Sequence, residues 1–310
     1  MSRRHEVRWM GPGVQPGSVP VPVFQELLEL RVEGSRRALR LRVEGRGTAP
    51  APLPAWMDAA ARFEESREPS SAPGAFQIES HPVRAFLPEG YRASDVPLDF
   101  DLEGSALDLF EEGLAEALAG ETTGDASDDG LLETCGALAR LFEQGVESFT
   151  LRGVRALTVD REGVARALQV RRQTPSQQAF CLAGTLKAFR REDRAFILVP
   201  RSRTVLKGIA ERLAPAEWAP LRGKPVVVEG WVSFRPDGSV LRLDAESLYE
   251  AAPRELALWS ALPSPLFWTP PGVRGPGQTE EAPPGVGENP GSWPDDEPYE
   301  EFLAAIEEMS

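Results

Sequence analysis

The chain has 310 residues, 41% apolar and 26% charged, which is room for about two domains with real cores and too apolar for a largely disordered polymer. Its formal net charge is −14, and no run of about 18 apolar residues is present, so the sequence offers no transmembrane helix. The charged first eight residues have no apolar stretch behind them, which excludes a secretory leader and predicts a soluble, cytoplasmic protein.

Residues 1–20 are rich in Gly and Pro and predict an irregular lead-in. Phe24, Leu27, Leu28, Ala38, Leu39 and Leu41 fall at helical spacing and predict one helix over about 22–43, with Gly34 as its weak point. Trp56, Met57, Ala60 and Phe63 suggest a short helix, and Ala75–Ile78 and Val83–Phe86 suggest short strands. From Ser105, a plausible N-cap, Leu109, Phe110, Leu114 and Leu118 line one apolar helix face. A polar loop over 120–130 leads to a second amphipathic helix over 131–142. Two extended runs, 148–152 and 155–160, and a short helix at 163–168 complete an α+β domain over residues 1–172.

Residues 177–249 have a different character. A long strand over 179–189 contains Gly184, where a strand can bend, and turns at 190–193 into a strand over 194–199. A third strand over 204–209, a helix near 210–221 and a hairpin of 225–234 with 240–243 follow. This order resembles that of an OB-type barrel, which implies a small closed sheet able to bind single-stranded nucleic acid on a basic, aromatic-bearing face. Lys187, Arg190, Arg191, Arg194, Arg201 and Arg203 would supply the charge. By strand parity Phe180 faces the core, whereas Phe189 falls on the other side as the one candidate for base stacking on that strand.

Catalytic and metal-binding signals are sparse. Cys135 and Cys181 lack metal or disulfide spacing and are expected to be buried thiols. His5 and His81 sit beside loop-forming residues and are expected in solvent, away from any nucleophile. The aspartates of 120–130 lack the spacing of a calcium loop. Asp99, Asp101 and Glu103 alternate with Phe100 and Leu102 as on the exposed face of a strand. No enzyme, metal or cofactor is expected.

Charge is segregated along the chain. Between Arg166 and Arg212 eleven cations face three acids, whereas after Arg274 there are ten acids and no Lys or Arg. A Pro/Gly-rich linker is expected over 250–292, then an acidic amphipathic helix over 293–310. In that last segment Asp295 or Asp296 caps a first turn holding Glu297, and Tyr299, Phe302, Leu303 and Ile306 form an apolar stripe suited to a partner's groove.

The run from Trp293 through Pro294, Asp295, Asp296 and Glu297 into that acidic helix resembles the ends of bacterial antitoxins that pair with PIN-domain ribonuclease toxins. The likeness spans about 18 residues and departs from the antitoxin pattern in having no cation to enter the toxin's carboxylate cluster. It implies a non-enzymatic, antitoxin-like protein whose tail binds and neutralises a protein partner, a small toxin nuclease being the class suggested. The acids would cover the partner's basic RNA-binding surface and Trp293, Phe302 and Ile306 would anchor. No ribbon–helix–helix signature is present. The alternative is an OB-type single-stranded nucleic-acid-binding protein, autoinhibited by its acidic tail. No membrane partner is expected under either reading, and the oligomeric state is open.

Overall fold

A computed structural model of the chain describes residues 2–11, 19–49, 51–66, 75–266 and 268. Residues 1–271 form one compact unit, and residues 272–310, set apart from it, lie outside the described residues. Among the described residues no helix is long and apolar enough to cross a membrane.

The first part of the larger unit is an α+β module. Its five-stranded antiparallel sheet contains β1 (Arg3–Met10), β2 (Phe63–Glu65), β3 (Ala75–Ser80), β4 (Ser148–Arg152) and β5 (Ala156–Asp160), in the order β2-β3-β1-β4-β5. The expected irregular lead-in is therefore corrected, because its Arg3–Met10 portion is the central strand. His5, Val7 and Trp9 alternate inward from β1, while Arg4 and the half-buried Glu6 and Arg8 occupy the other positions and hide the pattern behind charge.

Helices α1 (Val21–Glu44), α4 (Ala106–Ala119), α5 (Asp129–Ala137) and α7 (Arg161–Gln173) pack against one another and share the core with Val7, Trp9, Ile78, Phe149 and Val159 of the sheet. Shorter helices α2 (Ala55–Ala60), α3 (Glu89–Arg92) and α6 (Ala139–Glu143) fill the connections. Gly34 does not break α1. A Cβ there would lie 2.3 Å from the Phe110 ring, so glycine permits the close crossing of α1 and α4. Ser105 caps α4 as expected, in a reciprocal box with Asp108, and Asp128 and Asp160 cap α5 and α7.

Three further expectations are corrected. Residues 83–85 form a 3₁₀ turn rather than a strand. The second amphipathic helix divides at Leu138, whose N–H bonds Cys135 O in a tightened turn. The short helix at 163–168 is the middle of α7, which continues to Gln173.

The second module is a closed barrel of β6 (Gln178–Phe189), β7 (Ala195–Pro200), β8 (Leu206–Ile209), β9 (Pro225–Phe234) and β10 (Val240–Glu250), in the cyclic order β10-β8-β7-β6-β9. All its pairs are antiparallel except β8–β10, joined in parallel through Leu243↔Gly208 and Asp244↔Ile209. With α8 (Pro215–Trp218) between the third and fourth strands, this is an OB-like barrel. Trp218 is fully buried within the barrel core, its ring centroid 4.9 Å from that of Phe189. A final helix, α9 (Pro253–Leu258), falls within the expected linker and packs Leu256 against the cluster of Ala183, Val227 and Ala251 on the barrel's outer side.

Candidate functional site

In OB barrels the oligonucleotide face is formed by the second and third strands and by the loops joining strands one to two and four to five. Here those elements are β7, β8, residues 190–194 and residues 235–239. Phe196 and Leu198 of β7 point inward, leaving Ala195, Ile197 and Val199 on the outside. That outer side is covered in part by the chain itself, with Val96 packed on Ala195 and Ile197 and Asp99 paired with Lys207 of β8; the neighbouring Asp95 pairs with Arg222, ahead of β9. The hairpin loop is engaged too, since Asp237 N donates to Thr122 O at 3.3 Å and Arg235 pairs with Asp125. The α+β module thus occupies part of the surface on which such a barrel would take a strand of nucleic acid.

The expected nucleic-acid residues are dispersed accordingly. Arg190 is 1% exposed, and its guanidinium meets Asp193 in a bidentate pair, donates to Val43 O at 2.7 Å and to Val96 O at 3.3 Å, and lies 4.8 Å from the Tyr91 ring centre. Loss of hydration, then the charge of Asp193, pushes the Tyr91 phenol up to about 12.

Phe189 is corrected from stacking platform to core. The β6–β7 register slips between Leu186 and Ala188, and this bulge at Lys187 reverses the parity of everything after it. Ala188 therefore joins Ile197 outside, while Phe189 packs on Trp218 inside. Lys187, Arg191, Arg201 and Arg203 are exposed, and Arg194 is half-buried in a left-handed turn conformation with φ 59°. The charge expected there is present; the aromatic partner on that strand is not.

The tail residues Trp293, Asp295, Asp296, Glu297, Tyr299, Phe302, Leu303 and Ile306 lie outside the described residues.

Sequence inspection missed a buried polar group in the α+β module. His5 is 1% exposed rather than in solvent, with Nδ1 3.1 Å from Glu111 Oε1 and Nε2 2.9 Å from Ser80 Oγ. The fully buried Arg31 donates to the same Glu111 oxygen at 2.6 Å, and Asp108 Oδ1 stands 3.7 Å from His5 Nε2. Loss of hydration pulls the Arg31 guanidinium below its ordinary value, opposed by Glu111. The group draws on β1, β3, α1 and α4, and its signal in the sequence is a lone histidine on an otherwise inward-facing strand.

Two chemistries are suggested by this geometry, and neither fits. His5, Asp108 and Glu111 place ligand atoms within 4.8 Å of one another, as a cation would require. Their charge is already met, however, by Arg31 on Glu111 and by Arg3 at 3.5 Å from Asp108, and the imidazole directs its two nitrogens to different partners. The order Ser80, His5, Glu111 is that of a nucleophile, base and acid. Yet Ser80 is 2% exposed, in a strand flanked on both sides by β1 and β2, and does not line the adjoining cleft of about 460 Å³. The group works as a buried clamp between the sheet and two helices.

Other expected sites resolve simply. Cys135 is buried as expected, whereas Cys181 is half-exposed on the barrel's outer side. His81 is exposed as expected. Asp99, Asp101 and Glu103 belong to no strand and are drawn apart by Lys207, Arg3 and Arg84. Comparisons of the chain with known protein families, with curated proteins and with solved structures find no match.

Proposed function

We propose that this is a non-enzymatic binding protein that acts by protein–protein contact, with the acidic segment 293–310 as its antitoxin-like recognition element and a basic protein surface, of the kind a small PIN-type nuclease uses for RNA, as its target. The observation supporting this over the nucleic-acid reading is the covered β7–β8 face. A barrel whose ligand surface is partly packed under Val96 and tied by Asp99 serves as a docking module within its own chain. The four exposed cations on or beside the β6–β7 ribbon retain charge without a stacking ring, which suits at most a weak, salt-sensitive contact with polyanions.

The test compares the full-length protein with a chain ending at Pro270, each used to capture partners from native cytoplasm. One stoichiometric protein retained by the full chain alone, with ribonuclease activity that the full chain suppresses, supports the proposal. Equal recovery by both chains overturns it. Recovery of nucleic acid alone would instead direct attention to Lys187, Arg191, Arg201 and Arg203.

A further inference from the structure

The barrel has a second outer face, built from β6, β9 and β10 and turned away from the covered strands. Alternation along β9 places Glu229 and Trp231 on this face, opposite Cys181 and Ala179 of β6 and Ser247 and Asp244 of β10. Trp231 is 45% exposed, a large apolar area to leave in water, and neither cation–π contact among the described residues involves it.

Its neighbour on the strand face is a fixed carboxylate. Glu229 Oε1 accepts the Tyr249 hydroxyl at 3.1 Å, and Oε2 accepts Ser247 Oγ at 2.9 Å. Both bonds orient an exposed acid that would otherwise sample several rotamers. Around it the field is negative. Loss of hydration, then the charges of Glu229 and Glu255, pushes the half-exposed Cys181 thiol up to about 11. Asp244, Glu246 and Glu250 also lie on β10, each paired with a cation of this chain, whereas Glu229 is hydrogen-bonded only to neutral groups in these contacts.

The following segment adds an apolar border. Trp259 O accepts from Ala183 N at 2.7 Å, and Leu266 N donates to Gln178 Oε1 at 3.2 Å, so this stretch runs beside β6 with Leu262 and Leu266 exposed. Exposed indole, preoriented carboxylate and aliphatic border together match one kind of ligand. A guanidinium or ammonium group gains from the face of an indole and from a carboxylate, and its methylene stem gains from apolar surface. An acidic partner meets the wrong charge.

We propose that the face around Trp231 and Glu229 is a docking site for an arginine or lysine side chain of a partner protein, the cation lying over the indole and pairing with Glu229. This goes beyond the proposed function, because the site belongs to the folded body and needs no contribution from residues 293–310.

The test is an NMR titration of the full-length ¹⁵N-labelled protein with arginine amide, and in parallel with citrulline amide, its uncharged isostere. The Trp231 indole signal is assigned with Trp231→Phe. A saturable shift of that signal by arginine amide, absent with citrulline amide, is the expected result. Trp231→Leu should weaken the remaining shifts on β9 about two- to five-fold, and Glu229→Gln should weaken binding while leaving the rest of the spectrum in place. Shifts that rise linearly without saturation, that are equal for the two amides, or that persist unchanged in a folded Glu229→Gln protein overturn the proposal. A chain ending at Pro270 should titrate identically, so failure of the tail as a recognition element would leave this result untouched.

Discussion

Arg190 of the barrel donates from Nη2 to the carbonyl oxygen of Val43, 2.7 Å away in the last turn of α1. Arg242 makes a similar contact with Gly45 O at 2.6 Å, so two guanidiniums from the barrel meet the negative end of one helix in the α+β module. Arg190→Met would leave Asp193, 4% exposed, as an uncompensated buried charge, and should cost about 3–5 kcal/mol. Urea denaturation measures it. The double change Arg190→Met with Asp193→Leu should recover much of the loss, and a double variant no better than the single one would show that the helix contact matters more than the ion pair.

Gly34→Ala sets two effects against each other. Alanine raises helix propensity by about 1 kcal/mol, but its methyl would enter the Phe110 ring, which is fully buried. Overpacking of this kind costs about 1–3 kcal/mol, so the variant should melt a few degrees lower. Adding Phe110→Leu should return most of the difference by making room. A Gly34→Ala protein that melts higher than the parent would mean that the α1–α4 crossing is looser than these distances imply.

Glu116 carries a pH signature. Loss of hydration, aided by Glu121, holds its carboxyl above the ordinary value although Ala126 N donates to it at 3.1 Å. A folded-state value raised above the unfolded one, about 4.3, leaves stability intact below the unfolded value and removes it as pH rises through the folded value. Glu116→Gln should therefore gain stability relative to the parent as pH climbs above about 4.3, reaching on the order of 0.5 kcal/mol near neutrality once solvent screening is allowed for. Denaturation midpoints of both proteins across that range give the comparison, and a constant offset at every pH would remove the carboxyl as the cause.

The two thiols should separate kinetically. Burial pushes Cys135 up to about 12, out of reach of solvent, and leaves the half-exposed Cys181 at about 11 with Glu229 and Glu255 nearby. Iodoacetamide at pH 8 should modify Cys181 slowly and Cys135 only on unfolding. Glu229→Gln should speed the first reaction severalfold, as read by mass spectrometry, because one of the charges opposing the thiolate is gone.

Much of this architecture is legible in the sequence where periodicity and caps agree. The apolar face of α4 with Ser105 ahead of it, the β9–β10 hairpin and the glycine-bearing β6 all stand where local pattern puts them. What local pattern hides has identifiable physical causes. Arginine and glutamate on β1 mask the inward row of His5, Val7 and Trp9. One extra residue at Lys187 turns Phe189 from outside to inside, and no composition rule marks a bulge. Arg190 reads as a solvated cation because Asp193 is its only nearby partner in sequence, the carbonyls of Val43 and Val96 being brought to it by the fold. The covering of the β7–β8 face rests largely on Val96, one of several apolar residues in an acidic loop, and only the assembled chain reveals that it meets the barrel while Leu98, Phe100 and Leu102 meet the other core.

Chain order and spatial order disagree in the α+β sheet. β1 lies at the centre, bonded to β3 and to β4, so Val7 has to meet Leu151 across more than a hundred intervening residues. On a ribosome adding about 5–20 residues per second, β1 emerges ahead of both neighbours and waits roughly 7–30 s for β4. For that time one edge of β1 stays unpaired, even after β3 has joined the other. The centre of this sheet is therefore completed only once β4 has been made, and during synthesis the protein depends on whatever shelters Val7 and Trp9 in the meantime.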